Sequence, residues 1–384
     1  MDKPRVGMVV ARSFGTGGIQ TCCLELCGGL NRLGIVPDMI WDEPTDWGAF
    51  TEPIPQMRFA QARLPISSAR LRSLPSWLMY LLRPLSRRFA RLGLNRYDFV
   101  YSFEPLVRMP AALPNVCWVG GPPLVDLPDH MGDEYGRSTR GPLRTFAARH
   151  LTPYRRRPDP NARYVAPADW IAELCLKKHG LRVRSIWPPA RTRTIVPASS
   201  RAGFLFFSRL YEGKRPHVLL DLARHLPKQK FTIAGAPAMA NDPYVSALAA
   251  STRFQTPGNV RLTLDPSDSE ISRLFAEHEF FVFPSRLEQF GIVTVEALQA
   301  GLLPLVHDSG GQREIVPIAA LRFKSDMELA EKAAVLLATP PSERKDMLEA
   351  LRRHVARGSP ENFQREMILP MCQDLGLTHL MSQV

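Results

Sequence analysis

Residues Glu288 to Glu296 read E-Q-F-G-I-V-T-V-E, and they follow directly on the apolar run Phe280-Phe281-Val282-Phe283. A strand that stops at Pro284-Ser285, turns through Gly291 and enters a helix over 292–300 leaves the unpaired amides of a helix N-terminus facing a crevice, where an anion fits. Glu288 falls in the turn beside that crevice, and Glu296 more than one turn inside the helix. One carboxylate is placed to meet a sugar and the other a ribose diol, because a carboxylate accepts two hydroxyl protons well. Upstream, Arg209 and Lys214 lie five residues apart around another strand exit, in Phe207-Ser208-Arg209-Leu210 and Glu212-Gly213-Lys214. Both can reach one crevice, the guanidinium gripping phosphate as a fork and the ammonium as a point charge. Taken singly, each of these four side chains reads as a surface charge, and only the ordered set points to a site.

The elements that must carry these residues alternate. In the N-terminal half, 6–10 reads as a strand, followed by the loop Ser13-Phe14-Gly15-Thr16-Gly17-Gly18 and a helix over 19–33, with further strands at 38–41, 99–103 and 116–119. Gly17 and Gly18 sit where a strand-to-helix loop approaches a diphosphate, although the loop has neither the G-x-G-x-x-G spacing nor a Walker lysine. The proline- and serine-containing stretch from Trp187-Pro188-Pro189-Ala190 to Ser200 predicts an interdomain linker. The pattern then restarts, with strands at 203–207, 231–234, 260–264 and 280–283 and helices at 217–226, 267–276 and 292–300. After a strand at 303–306 and the loop Ser309-Gly310-Gly311, the remainder from Met327 is predicted helical, capped at Ser325-Asp326 and Ser342-Glu343. The alternation predicts α/β domains: 1–195 and 200–365, with a helical tail over 366–384 packing back towards the first.

At 384 residues and 45% hydrophobic composition the chain can bury a large core. The apolar start is too short for a signal-peptide core, and no segment approaches the roughly 20 residues of a spanning helix, so a cytoplasmic location is expected. Six cysteines, Cys22, Cys23, Cys27, Cys117, Cys175 and Cys372, lack metal-knuckle spacing and read as reduced, packed thiols. The net charge of +12 is uneven: Arg58, Arg63, Arg70, Arg72, Arg83, Arg87, Arg88, Arg91 and Arg96 fall between Pro53 and Tyr97 with no acid among them. Leu71, Leu74, Leu78, Leu81, Leu82 and Leu85 recur there at helical spacing with Trp77 and Tyr80, broken by Pro65, Pro75 and Pro84. Short interfacial helices docking 53–97 on an anionic membrane would look like this, and a merely solvated basic surface is the plain alternative. A second basic cluster runs from Arg137 to Arg157. No specific nucleic-acid partner is expected.

Over residues 203–317 the motifs Arg209-Leu210, Glu212-Gly213-Lys214, Phe283-Pro284-Ser285, the Glu288 to Glu296 pair and Ser309-Gly310-Gly311 with Glu314 together resemble the GT-B fold retaining glycosyltransferases of family 4. Trp187-Pro188-Pro189 resembles the end of the N-terminal domain in mannosyltransferases that build lipid-linked oligosaccharides. The resemblance implies two Rossmann-like α/β/α domains facing a central cleft, the first for the acceptor and the second for a nucleotide sugar. It implies Arg209, Lys214 and Glu288 as catalytic, with Glu288 on the transferred sugar and Glu296 on the ribose. Gly17, Gly18, Phe290, Gly291, Ile292, Ser309 and Gly310 would complete the donor site. Charge growing on a leaving diphosphate is stabilised by fixed cations and oriented amides, so no metal and no other cofactor is expected. Retention by front-face attack, with the departing phosphate taking the acceptor's proton, needs no protein nucleophile, and Ser309-Gly310-Gly311 indeed lacks the G-x-S-x-G elbow. Where many relatives have a histidine after the strand ending Cys117-Trp118-Val119, this chain has Gly120-Gly121, so a backbone amide or His130 would have to face the sugar or acceptor. The expected activity is transfer of a hexose from a UDP- or GDP-sugar to a lipid-linked or cell-surface glycan precursor at the cytoplasmic membrane face. A soluble small acceptor is the alternative, and a catalytically silent basic module that binds membranes or nucleic acid is the alternative from another class.

Overall fold

The structure is a computed structural model. It describes residues 3–10, 18–44, 54–74, 78, 82, 85–87, 89–103, 107, 109–120, 162–190, 200–237, 242–255 and 258–383. The chain forms two units, Met1–Pro189 with Gly358–Val384, and Ala190–Arg357. The boundary falls inside the expected linker, but Trp187 to Ala190 are buried rather than strung out in solvent, with the Trp187 ring against Gly358. The return to the first unit begins at Gly358 rather than at residue 366.

In the first unit, β1 (Val6–Val9), β2 (Asp38–Trp41), β3 (Arg58–Gln61), β4 (Phe99–Ser102), β5 (Asn115–Trp118), β6 (Ala162–Ala166) and β7 (Arg184–Ser185) form one sheet in the order β3-β2-β1-β4-β5-β6-β7. Every pairing is parallel. Parallel strands are covered on both faces, which is why β1, β4 and β5 are buried throughout. The helices Gly18–Arg32 and Pro360–Asp374 pack on this sheet through Leu26, Leu30, Phe363 and Met367 against Met8, Tyr101 and Trp118. Arg163 Nη1 fastens the second helix at Asp374, 2.6 Å away, and Tyr101 donates its hydroxyl to the Met367 carbonyl at 3.1 Å.

Among the described residues the arginine-rich stretch holds short helical pieces, the helix Ser68–Ser73 capped by Ser67 and helical residues at 78, 82 and 85–87, but they do not make up all of it. It opens as edge strand β3, where Arg58 pairs with Asp38 of β2 at 2.7 Å, and it later returns so that Arg63 and Arg91 exchange backbone hydrogen bonds at 3.0 and 2.8 Å. Arg87 points inward, 7% exposed and stacked 5.5 Å over the Trp41 ring, so it is not on a docking face. Leu71 is buried and Leu78, Leu82 and Leu85 are half-buried. Arg63, Arg70, Arg91 and Arg96 are exposed, as are Phe59 and Phe89. Trp77, Leu81, Arg83, Arg88 and the 137–157 cluster lie outside the described residues.

In the second unit, β8 (Phe204–Phe207), β9 (Phe231–Gly235), β10 (Val260–Leu264), β11 (Phe280–Phe283), β12 (Leu303–His307) and β13 (Arg322–Phe323) form a parallel sheet in the order β10-β9-β8-β11-β12-β13. Phe204 stacks between Phe231 and Phe280, with centroids 5.1 and 4.9 Å away, which rigidifies the middle of the sheet. Ser267 caps the helix Asp268–Glu277 in a full capping box with Glu270, and Ser325 caps Asp326–Ala338. Ser342 does not cap: the helix Pro341–Val355 starts on a proline at its first turn, placing Ser342-Glu343 inside it.

Candidate active site

Strand order reverses beside β8: β9 lies on one side and β11, three strands later in the chain, on the other. At such a switch point the loops leaving the carboxyl ends diverge and open a crevice. The loop after β8 carries Arg209 and Lys214, and the loop after β11 carries Glu288. Leu210, fully buried, anchors the first loop and donates its amide to the Ala236 carbonyl at 2.7 Å. Arg215 ties the two exits together, in the left-handed region at φ 55°, with its guanidinium on Asp326 at 2.9 Å and on the Pro284 carbonyl at 3.4 Å.

The outcome is an ion pair. The Lys214 ammonium and the Glu288 carboxylate are joined directly, their side chains only 12% and 18% exposed. Ser285 donates its hydroxyl to the same carboxylate at 2.8 Å, and Lys214 Nζ lies 5.4 Å over the Phe283 ring. Burial alone would push the Glu288 carboxyl up, but the Lys214 charge and hydrogen bond, the Ser285 hydroxyl and the more distant charge of exposed Arg209 outweigh it, holding Glu288 below the usual carboxylate range. The two residues that the resemblance assigns to phosphate and to sugar therefore meet each other.

The turn that presents Glu288 is held in an uncommon shape. Leu287 has φ 46°, which costs a side-chain-bearing residue about 1 kcal/mol. Its amide donates to Ser309 Oγ at 2.8 Å, and the Gly311 amide donates to the Glu288 carbonyl, also at 2.8 Å. The loop after β12 lies flat on this turn because it lacks side chains: a Cβ on Gly310 (φ 59°) would stand 2.5 Å from the Glu288 carbonyl oxygen, and one on Gly311 2.5 Å from Phe290 Cα. Gly291, at φ 109°, then starts the helix Ile292–Gln299 without a side-chain cap. Buried Gln312 pins this start, donating to the Phe290 carbonyl at 3.4 Å and accepting from Thr294 Oγ1 at 2.9 Å. Glu296 is 8% exposed, in a helix where Thr294, Val295, Ala297 and Leu298 are buried as well.

The second unit thus carries Arg209, Lys214, Glu288, Phe290, Gly291, Ser309 and Gly310 on loops leaving three neighbouring strands, and Ile292 and Glu296 on the helix Ile292–Gln299. Ser309 stands differently from expectation: its hydroxyl is engaged by the Leu287 amide and by His307 Nδ1 at 2.8 Å, so it supports the turn. Gly18 opens the helix Gly18–Arg32 and Gly120 follows β5, both in the first unit; Gly17, Gly121 and His130 lie outside the described residues. Sequence reading missed the supporting groups Arg215, His307 and Gln312, which carry no periodic or spacing signal, since a glutamine after two glycines reads as surface. Among the described residues no group of three or more His, Cys, Asp or Glu could hold a metal ion, and no helix is long and apolar enough to cross a membrane. All six cysteines are buried. Burial pushes the Cys27 thiol up to about 12 and raises Cys22 and Cys23 as well.

Residues 194–354 match the family model described as "Glycosyl transferases group 1". A GDP-mannose:cellobiosyl-diphosphopolyprenol alpha-mannosyltransferase of Xanthomonas oryzae pv. oryzae (strain PXO99A) is 35% identical over 82 residues, which is 21% of either chain. The chain thus spans about a fifth of the length of that curated relative. Solved structures align over nearly the whole chain. Sucrose-phosphate synthase from Thermosynechococcus elongatus has a TM-score of 0.72 at 15% identity, covering 98% of this chain and 100% of its own. Anabaena Alr3699/HepE in complex with UDP-glucose has a TM-score of 0.65 at 16% identity, covering 97% and 100%. The chain has the GT-B fold, and its residues 194–354 match the glycosyl transferases group 1 model.

Proposed function

We propose that the protein is a retaining, metal-independent glycosyltransferase that moves a hexose from a UDP- or GDP-sugar to a lipid-linked or surface glycan precursor. The observation that carries this reading is the Lys214–Glu288 pair, braced by Ser285, at the mouth of the crevice between β8 and β11. An arriving diphosphate takes over the Lys214 ammonium, together with Arg209 and the first amides of the helix Ile292–Gln299. Glu288, released from its lysine, accepts hydroxyl protons of the sugar, and Glu296 those of the ribose. Cations and amides already in place need no reorganisation as charge grows on the leaving phosphate. That phosphate takes the acceptor's proton while the new glycosidic bond forms on the same face. By resemblance, Gly17 and Gly18 are assigned to donor binding, and Gly120, Gly121 and His130 to the sugar or acceptor side.

A lipid-linked acceptor is supported by the diphosphopolyprenol acceptor named for the Xanthomonas relative and by exposed Phe59 and Phe89 among exposed Arg63, Arg70, Arg91 and Arg96. Such a surface would hold the enzyme peripherally on the cytoplasmic membrane face. The test is a thermal-shift panel of UDP, GDP, ADP and their sugars, followed by transfer assays in chelator. One nucleotide family should raise Tm by mass action, Glu296→Ala should weaken that shift, and turnover should persist without added magnesium or manganese. Stabilisation by none of the nucleotides would refute the donor site, and strict metal dependence the metal-free mechanism.

A further inference from the structure

His307 is the last residue of β12, 5% exposed, with its ring edge-on to Phe323 and its Nδ1 2.8 Å from Ser309 Oγ. Ser309 Oγ is at the same time the acceptor for the amide of Leu287, the left-handed residue that immediately precedes Glu288. A serine hydroxyl has one proton and two lone pairs. With one lone pair committed to the Leu287 amide, the hydroxyl proton needs an acceptor, and a neutral imidazole with its proton on Nε2 provides one at Nδ1. The ring's surroundings keep it neutral: burial, then the Arg286 and Arg215 charges, lower its pKa to about 4, against weaker pulls from the Lys324 backbone and Asp308. In that tautomer the hydrogen bonds run in one direction, from Leu287 N–H to Ser309 Oγ and from the Ser309 hydroxyl to His307 Nδ1. The Gly311 amide on the Glu288 carbonyl closes the same contact from the other side.

We propose that His307 is a positioning residue for the sugar-facing carboxylate: by fixing the rotor of the Ser309 hydroxyl it holds the Leu287 turn, and through it the aim of Glu288. The proposal rests on the donor-site reading of Glu288, so its test has a readout that needs no turnover. Three variants separate the roles. His307→Phe keeps a ring but removes the acceptor, His307→Asn places an amide oxygen near the Nδ1 position, and Ser309→Ala removes the hydroxyl. Amide hydrogen exchange in the protein without ligand should show Leu287 exchanging about tenfold or more faster in His307→Phe and Ser309→Ala, and near wild type in His307→Asn. In transfer from UDP-glucose or GDP-mannose, whichever the wild type turns over, His307→Phe should lower kcat roughly 10- to 100-fold with donor KM within about twofold. His307→Asn should recover most of it, and His307→Phe with Ser309→Ala should lose no more than either alone, because groups acting in one chain are not additive. Nitrogen-15 spectra of the wild-type imidazole should report the Nε2-protonated tautomer. Unchanged Leu287 exchange in His307→Phe, the Nδ1-protonated tautomer, or independent losses in the double variant would each overturn the proposal, leaving His307 a core residue. Lost turnover in every protein, wild type included, with the exchange pattern intact, would instead indict the donor-site reading and leave the positioning chain standing. Should His307→Phe fail to fold, His307→Asn and Ser309→Ala carry the exchange comparison.

Discussion

Replacing Lys214 by methionine keeps the length of the side chain and removes its charge, which isolates what the Lys214–Glu288 pair contributes. Because the side chains are only 12% and 18% exposed, the orphaned Glu288 cannot recover its hydration. Removing one partner of a buried pair costs about 3–5 kcal/mol. Here Ser285 at 2.8 Å and the Arg209 charge remain, so the expected loss is about 2–3 kcal/mol, or roughly 5–10 °C in the transition of a domain of this size. On sequence alone a neutral substitution at Lys214 would be expected to leave the fold undisturbed; the pairing predicts a stability cost on top of lost transfer. The pH dependence carries the sign. In the wild type the folded Glu288 pKa is depressed, so its contribution is fully present above the ordinary value of 4.5 and is lost as pH falls through the lower folded value. Without Lys214, burial dominates and raises the carboxyl, so Lys214→Met should lose stability as pH climbs above about 4.5, where only the unfolded chain ionises freely. Lys214→Met with Glu288→Gln buries no charge and should return to within about 1 kcal/mol of wild type while remaining inactive. Urea titrations of wild type, Lys214→Met, Glu288→Gln and the double variant at pH 4 to 8 measure all of this. A Lys214→Met variant as stable as wild type with the same pH profile, or a double variant as unstable as the sum of the singles, would refute the reasoning.

Gly311→Ala places a Cβ 2.5 Å from Phe290 Cα, 2.7 Å from the Phe290 oxygen and 2.8 Å from the Gln289 oxygen, all backbone. The turn must move by a sizeable fraction of an ångström, so stability should fall by about 1–3 kcal/mol and transfer by up to about 100-fold, seen in paired melting and kinetic measurements. Normal activity there would mean that the turn is not held by the loop after β12. For membrane docking, Arg63→Glu, Arg70→Glu and Arg91→Glu together should weaken sedimentation with anionic vesicles by far more than tenfold, at about 1 kcal/mol per arginine near the surface, while sparing transfer to a short soluble acceptor analogue. Arg87 is left untouched because it is buried over Trp41. Equal sedimentation of mutant and wild type, or no binding at low salt, would transfer the case to a soluble acceptor.

Local physics made much of the second unit legible. Short runs of four or five largely apolar or β-branched residues, bounded by proline, glycine or a serine cap and spaced by helical patterns, read as parallel strands alternating with helices, and β8 to β12 lie within a residue or two of where those signals end. The Glu288–Glu296 spacing is a property of one loop and one helix, and it too was visible in the chain. β3, β6 and β7 were not, because a strand such as Arg58-Phe59-Ala60-Gln61 has no alternating pattern and exists through its neighbour β2 and the Arg58–Asp38 pair. The helix Pro243–Gln255 escaped as well, although Asp242 accepts the Tyr244 amide at 3.0 Å as a local cap. Spacing alone did not reveal that Lys214, 74 residues upstream, is joined directly to Glu288. Nor did it reveal that Ser309 turns to His307 and Leu287, or that Arg87 leaves the basic surface for Trp41. Those contacts depend on which strand exits the sheet order brings side by side, and charge, hydroxyl and guanidinium find their partners only after the chain has closed around them.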